Sequence, residues 1–250
     1  MRRIFETPIK IAEAPNLMSD VQSTINFLKG KKTLIMSFSN RWAAPGKERE
    51  KSKSELIGRK IAEKLGVDAT FLNAAELKIY GCEANISRAD GNNCGVPDAR
   101  LKDEEKNPSG NHRCWASINN KDDELWKISK PLLNSEAVIF IAPVRWGQAC
   151  ANYQRVIERL SWIENRRTTL EGENIVKNIE AGFICVGHNW NANTVALTQK
   201  KVLEFFGFRT PSQLTWSYQW TKDQSDETAE GYKEDAKDFK KYIQMTIKRT

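Results

Sequence analysis

IFIAPVRWGQACANYQRVIERLSWIENRR, residues 139–167, holds the pattern that decides the fold. An apolar run stops at Pro143, Arg-Trp-Gly follows, and a helical pattern begins directly afterwards. A turn that only reverses the chain is served by small polar residues. A proline, a cation, an indole and a glycine suit a flat, partly charged ligand instead. Pro143 fixes the chain direction, and Gly147 lets backbone approach closely. Trp146 offers an apolar wall and Arg145 a cation near an electron-rich ring. Taken alone, Trp146 reads equally well as an indole buried at a helix start.

Strands and helices alternate outward from this turn. Residues 19–29 read as a short helix, capped by Ser19 or Asp20 and ended at Gly30. TLIMSF (33–38) is a short apolar run with the look of a buried strand. A polar loop leads into SKSELIGRKIAEKLG, where Leu56, Ile57, Ile61 and Leu65 recur at helical spacing before Gly66. Further strands are expected at 67–75, 136–142, 180–187 and, interrupted by Pro211, 208–217. Helices are expected at 122–133, 147–165, 191–207 and 226–248, the last with Tyr232, Phe239, Tyr242, Ile243 and Met245 as its apolar side.

This order predicts an N-terminal extension over 1–30 and a main domain over 31–250 with an irregular insert at about 80–120. Alternation of this kind implies an α/β fold, a parallel sheet with helices on both faces. Ligands of such sheets sit beyond the carboxyl ends of the strands, where strand order reverses. Three turns fall there: after Phe38, after Ala142 and after Gly187.

The first of these turns carries the hydroxyls of Ser37, Ser39, Ser52 and Ser54, with Arg41, Lys47 and Lys51 as cations. A helix N-terminus presents free N–H groups and partial positive charge, which stabilise a phosphate. The alternative is that Ser52 only caps its helix. GxGxxG and GxxxxGK[ST] are both absent, against a dinucleotide Rossmann site and a nucleoside-triphosphate loop. The third turn, VGHNWNANT, joins Gly187 to the planar side chains of His188 and Trp190. His188, one of two histidines, is assigned no catalytic role.

Composition narrows the partners. With 40% hydrophobic and 28% charged residues the chain is ordinary for a globular protein, and runs such as AVIFIAPV are too short to span a bilayer. The N-terminus has no apolar h-region, and five scattered cysteines suggest no disulfide framework, so a cytoplasmic protein is expected. A net charge of +7 favours anionic partners. Lys and Arg are mixed with Glu, as in KEREKSKSE and YKEDAKDFKKY, which reads as solvated helix faces rather than a nucleic-acid surface. No membrane partner is expected either.

Together the three loops resemble the flavodoxin-like superfamily, most closely its NAD(P)H-dependent FMN reductases. That family's second loop reads T-P-V-Y-[FW]-G, and this chain has A-P-V-R-W-G followed by a helix holding Glu158-Arg159. Its third loop, G-x-x-x before a helix ending in G-F, is matched by GHNWNANT…FFGF. The resemblance covers about residues 31–217. It implies a three-layer sandwich around a five-stranded parallel sheet of order 2-1-3-4-5. It also implies FMN, its phosphate at Ser37, Ser39, Arg41, Ser52 and Ser54 and its ring along Pro143, Val144, Arg145, Trp146 and Gly147, with Gly187, His188, Asn189 and Trp190 opposite. NADH or NADPH would reduce it, a quinone, flavin or other small electron acceptor would oxidise it, and a homodimer or dimer of dimers is expected.

A flavodoxin-type electron carrier and a flavin-free binding module are the alternatives. Carriers are usually small and acidic, whereas this chain is long and basic. One branch of the superfamily holds an iron–sulfur cluster on compact C-x₂-C-x₂-C. Here Cys94 and Cys114 lie 12 and 32 residues after Cys82. Cys150 falls in a helix and Cys185 in a strand. A zinc set of Cys82, Cys94, His112 and Cys114 is conceivable but loosely spaced, and no metal is expected. HRCWAS (112–117) suits the lining of a substrate pocket by family analogy.

Overall fold

The computed structural model describes residues 17–248 apart from Asn40, Trp42, Ala44, Asn189 and residues 222–227. Most of the expected N-terminal extension, the first two residues of the expected last helix, and the side chain of Met245 therefore lie outside the described residues.

The strands are β1 (Thr33–Ser37), β2 (Ala69–Asn73), β3 (Ala137–Arg145), β4 (Gln148–Ala149), β5 (Glu180–Gly187) and β6 (Trp216–Gln219). They form a sheet of order β2-β1-β3-β5-β6, with β4 attached to β3 alone. All pairs on that path are parallel, and β4 is antiparallel. The helices are α1 (Leu17–Leu28), α2 (Lys53–Leu65), α3 (Trp115–Asn119), α4 (Trp126–Leu132), α5 (Ala151–Arg159), α6 (Ser161–Thr168), α7 (Ala192–Phe206) and α8 (Ala229–Lys248).

Side chains alternate across a strand. Ile35, Ile139, Ile141, Ile184 and Val186 accordingly share one apolar layer with Leu17 and Val21 of α1, Ile57 and Ile61 of α2 and Phe239 of α8. Leu34, Met36, Val138, Phe140, Phe183 and Cys185 form the opposite layer with Ile128 of α4, Tyr153 and Val156 of α5, Trp162 of α6 and Leu203 of α7. Strands that feed two layers read as continuous apolar runs.

Three expectations shift. The helix expected over 147–165 is a hairpin strand followed by α5 and α6, broken at Leu160. Leu160 stands at the break with φ −86° and ψ −2°, and Arg159, Leu160, Trp162 and Ile163 around it are all buried. The strand expected over 208–217 is a 3₁₀ turn at Ser212–Leu214 followed by β6. There Leu214 packs so closely on β5 that a Cβ on Gly182 would stand 2.1 Å from the Leu214 carbonyl oxygen. The helix expected from Asp122 begins at Trp126, because the Asp123 carboxylate accepts the Leu125 N–H at 3.2 Å and shapes a turn.

The insert is pinned by a buried knot. Arg159 donates to both Asp123 oxygens, at 2.8 and 2.9 Å, to Ser117 Oγ at 2.8 Å and to the Tyr80 carbonyl at 2.9 Å. Both side chains of this ion pair are fully buried. Such a pair is worth keeping only with further hydrogen bonds, which these partners supply. Ser117 Oγ gives its proton to Asp123 at 2.8 Å, so it accepts from His112 Nε2–H at 3.0 Å. Ser129 then donates to His112 Nδ1 at 2.6 Å. The imidazole is therefore neutral, and with both nitrogens engaged by serines it is no zinc ligand.

Burial, with the Arg159 charge adding to it and Asp123 opposing, pushes the His112 pKa down from 6.5 to about 4. The unfolded chain takes up this proton near pH 6.5 and the folded chain only near pH 4. Stability from this residue is thus complete above pH 6.5 and lost as the pH falls to 4, by about 3 kcal/mol. His112→Gln is expected to flatten that part of the pH dependence, as read from urea midpoints across the window.

Candidate functional site

β3 does not end at Ala142 but runs on to Arg145. Phe38 N–H donates to the Ile141 carbonyl at 3.0 Å, so the polar groups of Ile141, and those of Pro143 two residues on, face β1. β1 has already ended there, and the N–H that Pro143 lacks leaves no ladder bond unmade. Val144 and Arg145 then pair with Ala149 and Gln148. The turn is Trp146-Gly147 alone, with φ of 50° and 72°. Two positive φ values are what a two-residue type I′ hairpin requires.

The reading of Trp146 as an indole buried at a helix start is therefore corrected: it stands at the hairpin tip, 93% exposed. Arg145 is exposed beside it. A Cβ on Gly147 would meet the Trp190 indole at 2.5 Å. The close approach that this glycine permits in the structure is thus to a neighbouring loop.

Hydrogen bonds join the three loops. Asn191, itself at φ 73°, donates through Nδ2 to the Gly147 carbonyl at 2.7 Å. Asn152 Nδ2 donates to the Phe38 carbonyl at 3.3 Å, and Cys150 Sγ–H to the same oxygen at 3.4 Å. Cys150 is the cap residue before α5 rather than part of the helix. Sequence reasoning missed Asn152, which follows the second loop, and Asn191, which stands within the third but was assigned no role.

In the first loop Ser52 caps α2, accepting from Glu55 N–H at 3.1 Å, and its hydroxyl points back to the Ser39 carbonyl at 3.5 Å. Ser37, Ser39 and Ser54 are buried, and Ser37 Oγ has no hydrogen-bond partner among the described residues. Lys47 and Lys51 are exposed, as is Arg41, which lies 3.6 Å from Glu50. Lys53, the first residue of α2, is the cation that the sequence reading passed over. Its ammonium pairs with Asp235 of α8. Burial lowers the Lys53 pKa, Asp235 opposes this, and the Arg41 charge adds to the lowering.

In the third loop His188 is buried, with Nδ1 3.0 Å from Asp235. Its ring stacks on Tyr232 at 3.8 Å and on Trp220 at 5.3 Å between centroids. Nε2 has no partner among the described residues. Gly187 ends β5, and Asn189 lies outside the described residues.

No family model matches the chain, and no curated protein does. Among solved structures, RosB with the bound intermediate 8-demethyl-8-formylriboflavin-5'-phosphate is 15% identical. The match covers 86% of this chain and 75% of that one, with a TM-score of 0.53. That likeness joins the strand order, which apart from the hairpin strand runs 2-1-3-4-5 as in flavodoxins. The fold is flavodoxin-like. An azoreductase from Bacillus anthracis matches at 14% identity over 86% of this chain and 97% of its own, TM-score 0.47. An apo NADH:FMN oxidoreductase matches at 14% over 86% and 87%, TM-score 0.41.

In a flavodoxin-like sheet the order reverses between β1 and β3, and the loops joined at Phe38 flank that switch point. Gly147→Ala is expected to cost about 1–2 kcal/mol from left-handed backbone alone, besides displacing the Trp190 indole. Denaturant midpoints of the variant with and without Trp190→Ala separate the two. Only the steric part disappears when the indole is gone.

Proposed function

We propose that this chain is an oxidoreductase that binds FMN and passes reducing equivalents from NADH or NADPH to a small electron acceptor such as a quinone or a flavin. The observation that carries the reading is the joining of three loops at the switch point beside a buried hydroxyl, Ser37, with no partner among the described residues. A buried polar group without a hydrogen bond is costly, and a ligand oxygen would remove that cost.

The donor set fits a phosphomonoester. The α2 N-terminus, Ser37 and Ser54 offer hydrogen bonds, and Lys53 and Arg41 offer charge. FMN suits this set better than FAD, since no fingerprint for a second nucleotide is present. Trp146 and Trp190 supply flat apolar faces beside the hairpin, and Arg145 supplies a cation there. Bound FMN would provide the hydride chemistry, and the residues around it orientation and electrostatics.

Purified protein is expected to show flavin absorption bands and to consume NADH or NADPH with a quinone. Ser54→Ala should weaken FMN by about 0.5–1.5 kcal/mol while leaving riboflavin, which has no phosphate, unaffected. Equal loss of both flavins would move the phosphate away from α2. Ser52→Ala is a poorer probe, because removing the cap costs about 0.5–2 kcal/mol of stability in its own right.

Pairing of two copies over the exposed Trp146 indole belongs to the same reading, as large exposed apolar groups favour association. Sedimentation velocity tests it. A monomer at micromolar concentration with full flavin occupancy rules it out.

A further inference from the structure

Asp235 is a carboxylate with almost no exposure on a helix whose neighbours at that depth are aromatic and aliphatic. It accepts from Tyr218 OH at 3.0 Å, faces His188 Nδ1 at 3.0 Å and pairs with Lys53, 182 residues away in sequence. Burying a charge is expensive, and an apolar side chain would pack this layer at lower cost. What the carboxylate does there is hold the ammonium of Lys53, the first residue of α2, against α8.

Strand alternation puts the other polar groups on the same side of the sheet. Ile35 packs with α2, so Ser37 two residues on faces that way. Ile184 and Val186 share the same layer, so His188 follows them. Ser37 Oγ and His188 Nε2 are both buried on that side without partners among the described residues. The Lys53–Asp235 pair lies on that same side, between α2 and α8.

We propose that Asp235 is a positioning residue that competes with a phosphomonoester for Lys53, and so sets how strongly the site prefers a phosphorylated flavin to an unphosphorylated one. The inference rests on the FMN reading above. Both members of the pair have other contacts. Asp235 keeps the Tyr218 hydroxyl and His188 as partners when Lys53 leaves. Lys53 has the faces of Tyr218 and Phe239, 5.5 and 5.6 Å from its nitrogen, along which to swing. No covalent step is involved.

The test is the ratio of riboflavin to FMN dissociation constants, measured by quenching of flavin fluorescence. Asp235→Asn keeps the shape and releases Lys53, and is expected to raise the ratio on the order of tenfold, the size of one charge-assisted hydrogen bond. In a Lys53→Met background the same substitution should change nothing, which isolates the pair. A ratio that is unchanged or lower in Asp235→Asn overturns the inference, as does an increase that persists without Lys53.

Hydrogen exchange of wild-type protein gives an answer even where Asp235→Asn fails to fold. FMN, but not riboflavin, should speed exchange around Asp235 in α8, and equal protection by both flavins overturns the inference. Wild-type protein that binds neither flavin defeats the FMN reading itself, and this inference falls with it. Binding of both with an unmoved ratio defeats the competition alone.

Discussion

Because β1, β3 and β5 lie between two apolar layers, their backbone polar groups can be satisfied only in the plane of the sheet, by one another. Nothing polar can approach their faces without losing water and gaining no partner. Chemistry is thereby confined to the strand ends. At the carboxyl end the ladders run out at different heights, β1 at Ser37, which stands opposite Ile141, and β3 four residues further at Arg145. That stagger opens the step over which the first loop and the hairpin meet.

Two clusters of buried charge meet the same confinement in different ways. Arg159 and Asp123 join the insert to the α5–α6 bend, and each further hydrogen bond in that knot has its partner. It is a closed structure, and His112 belongs to it as a neutral, fully engaged side chain. The knot around Asp235 is built differently. It joins α2, the end of β5, β6 and α8, yet leaves His188 Nε2, like the Ser37 hydroxyl on the same side of the sheet, without a partner among the described residues. Closed networks rigidify, while open ones next to a helix N-terminus have capacity for a ligand.

The hairpin shows how narrowly a turn can be decided. Trp146 takes a left-handed backbone that a bulky side chain adopts only under constraint. The constraint is the pairing of Val144 and Arg145 with Ala149 and Gln148, which leaves two residues to reverse the chain. The indole is consequently thrown outward. A helix beginning at Gly147 would have buried it, and the surface beside the site would have lacked its largest apolar group.

The sequence by itself determined the alternation of strands and helices, the sheet's order through the loops that resemble flavodoxin-like proteins, and the cap at Ser52. Each is written in residues close together along the chain, as apolar periodicity, a proline before a glycine, or a hydroxyl before a helix. Only the tertiary structure decided the hairpin, the break at Leu160, the indole of Trp190 over Gly147 and the union of Lys53 with Asp235. These depend on which distant backbone or side chain arrives at a given point, and no local spacing encodes that. The cation that matters at α2 was in plain view in KSKSE, between the two serines singled out. What distinguishes Lys53 from exposed Lys51 is that its side chain folds onto α8, a neighbour supplied from the other end of the chain.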